Sequence, residues 1–188
     1  MVKERTLVIV KHDGVIRGIA GEIISRFEKV GLKIIGMKML WADENVAEKH
    51  YIVTDEWAKG VFEKTKTTYE KEGKKFPFTN HKEYGTMIKN WNKTFLQEGP
   101  VIALVLEAPH VIEVVRKMVG NTEPRQAIPG TIRGDYIYDS YAIADTKQRP
   151  IRNLIHASGN KEEATREISL WFTERELHHY ETPFDKHF

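Results

Sequence analysis

The 188-residue sequence contains no cysteine. That excludes disulfide bridges, thiol nucleophiles, iron–sulfur clusters and cysteine-ligated zinc. Long apolar runs are missing too. No stretch approaches the ~18 apolar residues of a membrane span, and the opening MVKERTLVIVKHDG lacks the extended apolar segment of a signal peptide. A membrane or exported protein is therefore not expected. Several chemical signatures are also absent. Gly73-Lys74-Lys75 lacks the hydroxyl and the preceding glycine of a P-loop, Gly14, Gly18 and Gly21 are wrongly spaced for G-x-G-x-x-G, and H-E-x-x-H does not occur. P-loop and zinc-protease chemistry fall with them. The net charge of +2 is too small to imply nucleic-acid binding by itself.

What is present describes a folded chain. Hydrophobic residues make up 40%, enough for a core, and charged residues 30%, above the ~25% typical of soluble domains. The length suggests one domain spanning 1–188. Arg5 to Lys11 reads as a buried strand. Ile16, Ile19, Ala20, Ile23, Ile24, Phe27 and Val30 then follow helical spacing, with Glu22 and Arg26 four apart on the wet side and Gly31 as the stop. Leu32 to Trp41 is apolar on both parities, a strand covered on both faces. Asn45 is placed to cap a short helix carrying His50 and Tyr51.

From Trp57 to Phe95 the texture changes. Nine lysines face four glutamates there, giving +5 and leaving −3 for the rest. The stretch reads as surface helices and loops, an insertion at about 57–95. Val101 to Leu106 is a third strand, and Pro109 opens a helix that carries Val111, Val114, Val115 and Met118 on one face. A long loop follows, with an extended part at about 135–152, and a loop of that length usually has a function. Asn153 to His156 is a fourth strand, and Ser158-Gly159-Asn160 turns into a helix with Ala164, Ile168, Trp171 and Phe172 inward. The tail from Thr173 shows no clear period. The order matches an α+β, ferredoxin-like β-α-β-β-α-β sandwich: an antiparallel sheet with helices on one face, plus a helical insertion and a long active-site loop.

Chemistry concentrates near the fourth strand. His156 ends it just before a helix N-terminus, where a neutral imidazole can attack phosphorus. Glu167 on the next helix can fold back to fix its tautomer. Taken alone, a packed histidine in a strand-to-helix corner is the commoner explanation. Lys11 ends the first strand, where side chains meet ligands, or is simply solvated there. Arg116, Thr122, Arg125 and Arg133 gather around the long loop, and guanidinium forks suit phosphate oxygens. Arg125 reads as ordinary surface charge. Pro129 to Asp135 reads as a rigid turn that aims Arg133.

Taken in order, these segments resemble the nucleoside diphosphate kinase family. The likeness is carried by Lys11-His-Asp-Gly-Val-Ile-Arg-Gly, Gly21-Glu-Ile-Ile-Ser-Arg-Phe, His50-Tyr51, Gly99-Pro100-Val, Gly120-Asn-Thr122-Glu-Pro124, Pro129-Gly-Thr-Ile-Arg-Gly-Asp135, and Asn153-x-x-His156-x-Ser158 through Glu167-Ile-x-Leu-Trp-Phe172. The resemblance implies ping-pong transfer of a γ-phosphoryl group from a nucleoside triphosphate such as ATP to a nucleoside diphosphate. It implies a phosphohistidine at His156, oriented by Glu167, with Tyr51 beside it and Ser158 two places on. Lys11 would contact the phosphates and sugar hydroxyl, Arg116, Thr122 and Arg133 would clamp the phosphates, and Asn153 would bind ribose. It further implies Mg²⁺ bridging the phosphates, low base specificity, a homo-hexamer or tetramer, and a cytoplasmic location with no membrane partner.

The chain departs from the family pattern at His12, where proline is usual, and at Gly159, where the family has the aspartate used near the metal. Magnesium affinity or geometry is therefore expected to differ. The base-stacking aromatic is left open among Phe62, Tyr69, Phe76 and Phe78. A second reading is a nucleic-acid surface on 57–95, with lysines interleaved among Tyr69, Phe76, Phe78 and Trp91. A solvated surface with a few anchoring aromatics is the plainer account, and a nucleic-acid partner is not expected.

Overall fold

A computed structural model describes residues 2–71 and 73–186. Its strands are β1 (Glu4–Val10), β2 (Lys33–Leu40), β3 (Val101–Ala108) and β4 (Ile155–Ala157), in one antiparallel sheet ordered β2-β3-β1-β4. Its helices are α1 (His12–Ile16), α2 (Ala20–Lys29), α3 (Glu44–His50), α4 (Asp55–Lys71), α5 (His81–Gln97), α6 (Val111–Val119), α7 (Ile132–Tyr136), α8 (Tyr141–Thr146) and α9 (Lys161–Trp171). The α+β, ferredoxin-like plan holds. Among the described residues no helix is long and apolar enough to cross a membrane.

Helices cover both faces of the sheet, where the split plan alone expects one. The central strand explains why. Leu7, Val8, Ile9 and Val10 are all fully buried, so both parities of β1 need cover. Leu7, Ile9, Ala103 and Val105 pack with Ile168 and Trp171 of α9, Phe172, and Leu96 of α5. Val8, Val10, Leu104 and Leu106 pack with Ile23 and Phe27 of α2 and Val111, Val115 and Val119 of α6.

Several local expectations shift. The first helix breaks into α1 and α2 around Gly18, whose φ is +69°. Arg26 crosses to the long loop rather than pairing with Glu22. It donates to Tyr136 Oη at 3.2 Å and the Gly130 carbonyl at 3.1 Å, and pairs with Asp135. Asp43, not Asn45, caps α3, its carboxylate accepting from Val46 N at 2.7 Å. Pro109 precedes α6 by two residues, and His110 makes the turn with φ 54°. As far as Lys186 the tail has a fixed course despite its lack of period. Leu177 is buried, His178 N donates to the Ile35 carbonyl at 2.7 Å, and Lys33 Nζ donates to the Tyr180 carbonyl at 2.6 Å. It thereby pairs part of the β2 edge.

In 57–95, α4 and α5 pack side by side. The approach is close at Gly85, where an added Cβ would lie 2.8 Å from Ala58 Cβ. Phe76 is the hub of their contact, its ring centroid 5.1 to 5.6 Å from those of Phe62, Tyr69, Phe78 and Tyr84. Among the described residues, five of the nine lysines face acids: Lys59 and Lys82 pair with Asp55, Lys66 with Glu70, Lys89 with Glu48, and Lys93 with Glu44 and Glu48. Phe76→Ala is expected to destabilise this helix pair by about 2 kcal/mol, less than a fully buried phenylalanine because Phe76 is only partly buried. Hydrogen exchange should show faster exchange in α4 and α5 with β1 and β3 unchanged. Uniform protection across the chain would contradict the hub.

Candidate active site

His156 stands opposite Ile9 in the β1–β4 register. After it the chain turns at Ser158 to Asn160, and Asn160 caps α9 by accepting from Glu163 N at 2.8 Å. Two helical turns later Glu167 faces back to the strand. His156 Nε2 lies 2.9 Å from Glu167 Oε2, and the Ser158 hydroxyl donates to the same oxygen at 2.7 Å. Leu7 locks Ser158 through its backbone, donating to Oγ at 3.3 Å and accepting from Ser158 N at 3.1 Å. Burial opposes charge on Glu167. His156, His50 and the Ser158 hydroxyl outweigh that and hold its carboxyl down to about 2. An ionised carboxylate only accepts, so in the neutral ring the proton of His156 sits on Nε2 and Nδ1 keeps its lone pair.

Two buried cations stand nearby. Lys11 follows β1 directly, and its Nζ donates to Asn153 Oδ1 at 2.9 Å. The Asn153 amide donates in turn to the Thr122 carbonyl at 3.0 Å. Burial, opposed by Asp13 and aided by Arg133, lowers Lys11 to about 8. Arg133 is delivered by α7, which Thr131 caps by accepting from Gly134 N at 3.1 Å. Its guanidinium donates to the carbonyls of Asn153 at 3.1 Å, Gly120 at 2.9 Å and Ile155 at 2.6 Å. Burial pulls it down to about 10, which still leaves it charged. Arg116, exposed in the last turn of α6, and Thr122, exposed beyond it, stand at the rim. Tyr51 caps the C-terminus of α3, and burial with Glu167 and Asp13 pushes its hydroxyl well up, so it stays a donor.

Lys11, Tyr51, Arg116, Thr122, Arg133, Asn153, His156 and Glu167 line one cleft of about 510 Å³. Ser158 does not line it; it is fully buried behind Glu167. A neutral imidazole beside three cations suits an electrophile carrying negative charge, a phosphoryl group above all.

Sequence reasoning missed other parts of the wall. Phe62, Tyr69, Phe76 and Phe78 do not line the cleft, whereas Trp57, Tyr84, Trp91 and Tyr141 do. The available signal was helical spacing: Trp57, Val61, Lys64 and Thr65 share a stripe of α4, and Tyr84, Ile88, Trp91 and Asn92 a stripe of α5. Glu163 was missed as well. Its Oε2 accepts from Gly159 N at 2.7 Å and occupies the space a side chain at 159 would enter, 2.7 Å from the ideal Cβ position. Finally, His50, His156 and Glu167 place metal-ligand-type atoms within 4.8 Å of one another. His156 Nε2 is engaged with Glu167 and His50 Nδ1 with Trp171, so the group reads as a hydrogen-bonded cluster.

Known proteins place this geometry. The nucleoside diphosphate kinase family model matches residues 4–73 and 64–177. The chain is 42% identical to a nucleoside diphosphate kinase of Pyrobaculum aerophilum over 181 residues, 94% of this chain and 99% of that one. It is 46% identical to one of Pyrococcus furiosus over 177 residues, 94% and 88% of the two. A solved Borrelia burgdorferi nucleoside-diphosphate kinase, a transition-state mimic with bound vanadate and ADP, superposes with a TM-score of 0.81 at 40% identity, covering 100% of this chain and 97% of that one. A crystal structure of the Pyrobaculum enzyme gives 0.88 at 40% identity, covering 94% and 99%. This chain belongs to the nucleoside diphosphate kinase family and is a nucleotide-binding phosphotransferase.

Proposed function

We propose that this enzyme moves the γ-phosphoryl group of a nucleoside triphosphate to a nucleoside diphosphate in two half-reactions, with a phosphohistidine at His156 between them. The observation that supports this most is the 2.9 Å contact of His156 Nε2 with a carboxylate held at about 2. It leaves Nδ1 as the nucleophile. The Nδ1 lone pair forms an N–P bond while the P–O bond to the departing diphosphate breaks. The ring becomes cationic, and Glu167 offsets that charge. The departing diphosphate gains negative charge, which Lys11, Arg116 and Arg133 oppose. A second diphosphate then attacks the phosphohistidine and the steps reverse. Ser158 holds Glu167 in place, Thr122 and Tyr51 offer hydroxyls to the cleft, and the Lys11–Asn153 pair suits the sugar hydroxyls. The base would rest against the α4–α5 wall. Residues 1–188 act in this reading as a single domain, with 57–95 and 135–152 as additions that wall the cleft.

Mg²⁺ fits the phosphate end. Glu163 is a carboxylate on a wall otherwise rich in cations, and it stands in the space beside Gly159. It would hold the ion together with the nucleotide phosphates and waters, since Mg²⁺ needs few protein ligands. Bound there, the ion supplies further neutralisation of phosphate charge.

The assembly we propose is a homo-oligomer, hexamer or tetramer, in the cytoplasm. It is supported by β2, a sheet edge on which Met37 and Met39 are 58% and 59% exposed, with Trp41 just beyond it 64% exposed.

His156→Gln is expected to abolish exchange between ATP and a second diphosphate while circular dichroism stays unchanged. The wild-type enzyme with ATP alone should gain one acid-labile phosphate by intact mass. Normal turnover by a folded His156→Gln protein would refute the assignment. Lys11 sets a pH dependence. Its ammonium is favoured by bound phosphates but half lost in the free enzyme near 8. ADP affinity should therefore be flat below about pH 7 and weaken by up to about tenfold per pH unit above about pH 8, where binding must take up a proton. Calorimetry on Lys11→Gln should give a weaker, pH-independent constant. A wild-type affinity that stays level through alkaline pH would contradict this role. Met37→Asp combined with Met39→Asp is expected to shift the light-scattering mass toward a smaller species; an unchanged mass would remove this edge from the interface.

A further inference from the structure

A second histidine lies beside the His156–Glu167 pair and has no part in the steps above. His50 ends α3 and is 3% exposed. Its ring meets that of His156 edge to face, with centroids 4.5 Å apart and planes at 77°. The Trp171 indole donates to His50 Nδ1 at 3.2 Å. An indole nitrogen can only donate, so Nδ1 bears a lone pair and the ring proton sits on Nε2. That Nε2 is buried and has no hydrogen-bond partner among the described residues. Buried unpaired donors are rare, and each calls for an explanation. On its other side His50 Nδ1 lies 3.8 Å from Glu167 Oε1, beyond hydrogen-bond distance.

We infer that His50 is a positioning residue for phosphoryl transfer: Trp171 locks it as the neutral Nε2–H form, so that of the two imidazoles Glu167 serves only that of His156 and the reacting ring is held edge-on in one rotation. The inference rests on the reading of His156 as the phosphorylated nucleophile. The groups facing His50 are His156 of β4, Glu167 and Arg166 of α9, Lys11 after β1, and Tyr51. Burial and His156 oppose a proton there most strongly, Glu167 favours one, and Lys11 and Arg166 again oppose it, which leaves the imidazole well below its ordinary range. A proton on Nδ1 would have to displace the Trp171 N–H and would place a donor facing Glu167 Oε1. The carboxylate would then be shared between two imidazoles, and His156 Nε2–H would lose its fixed acceptor.

The first test uses the unaltered enzyme. Nitrogen-15 NMR of the ring nitrogens should show His50 neutral and Nε2-protonated from about pH 5.5 to 8, across the range where an ordinary imidazole titrates near ~6.5. A His50 that titrates there, or that carries its proton on Nδ1, overturns the inference. In Trp171→Phe, His50 should begin to titrate and the acid limb of kcat should move up by about one pH unit. His50→Asn keeps a carbonyl to accept from Trp171. It should lower kcat roughly 10- to 100-fold with nucleotide KM unchanged, and should give mixed tautomers at His156. Folded variants with the wild-type pH profile and an unmoved His156 tautomer overturn it. Intact mass of the wild-type enzyme after ATP alone separates the two readings. If no phosphate appears on His156, the nucleophile assignment fails; if phosphate appears but the His50 variants behave as wild type, only this inference fails.

Discussion

Glu167 lies almost wholly out of solvent, and a carboxylate in that position stays ionised only while its partners stay in place. The Ser158 hydroxyl and His156 Nε2 share one oxygen, and Arg166 stands 3.6 Å from the other. Removing a partner from such a group leaves an uncompensated buried charge, worth ~3–5 kcal/mol in comparable pairs. Much of the fold holds these partners in register. Leu7 bonds Ser158 through its backbone while its side chain sits in the core against the sheet, so β1 couples the packing of the domain to the orientation of one imidazole. The asparagine cap of α9 sets the helix phase that brings Glu167 back to the strand.

The cationic side of the cleft follows a different rule. Arg133 spends its donors on three carbonyls rather than on a carboxylate, and Lys11 on an asparagine oxygen. Dipoles fix the geometry of these cations without neutralising them. Their depressed proton affinities, Lys11 at about 8 and Arg133 at about 10, record first the cost of burying a cation, an imbalance between charge and solvation in a partly dry site. An anionic ligand would relieve that imbalance, and in the proposed reaction binding and charge stabilisation would come from the same residues.

The two longer segments meet over this cleft. Tyr69 of α4 donates to Asp145 of α8 at 2.7 Å, and Lys64 lies over the Tyr141 ring at 5.7 Å. Burial raises the Asp145 carboxyl, although the tyrosine bond works the other way. The aromatic cluster around Phe76 makes the α4–α5 pair a packed body in its own right. It therefore presents a formed wall to the cleft, and the interleaved aromatics of 57–95 are largely accounted for by packing.

Much of this was legible in the residues. The strands came from apolar runs and α6 and α9 from 3-4 spacing, while residue type only suggested the His156, Glu167, Lys11 and Arg133 set, and the family resemblance singled it out. His50, Trp171 and Glu163 were not legible as site residues. Nothing in a linear string tells a core histidine from one whose ring abuts another ring 106 positions later. The aromatics that line the cleft were not legible for the same reason: Phe76 and Trp91 are both aromatic, and only the pairing of α4 with α5 turns one inward and the other toward the cleft. The sequence by itself determined which chemical groups the protein owns and where its strands and helices run, because backbone periodicity and side-chain chemistry are local properties. Only the tertiary structure decided which of those groups share a dry site, and hence which nitrogen holds a proton, because burial and charge act through space.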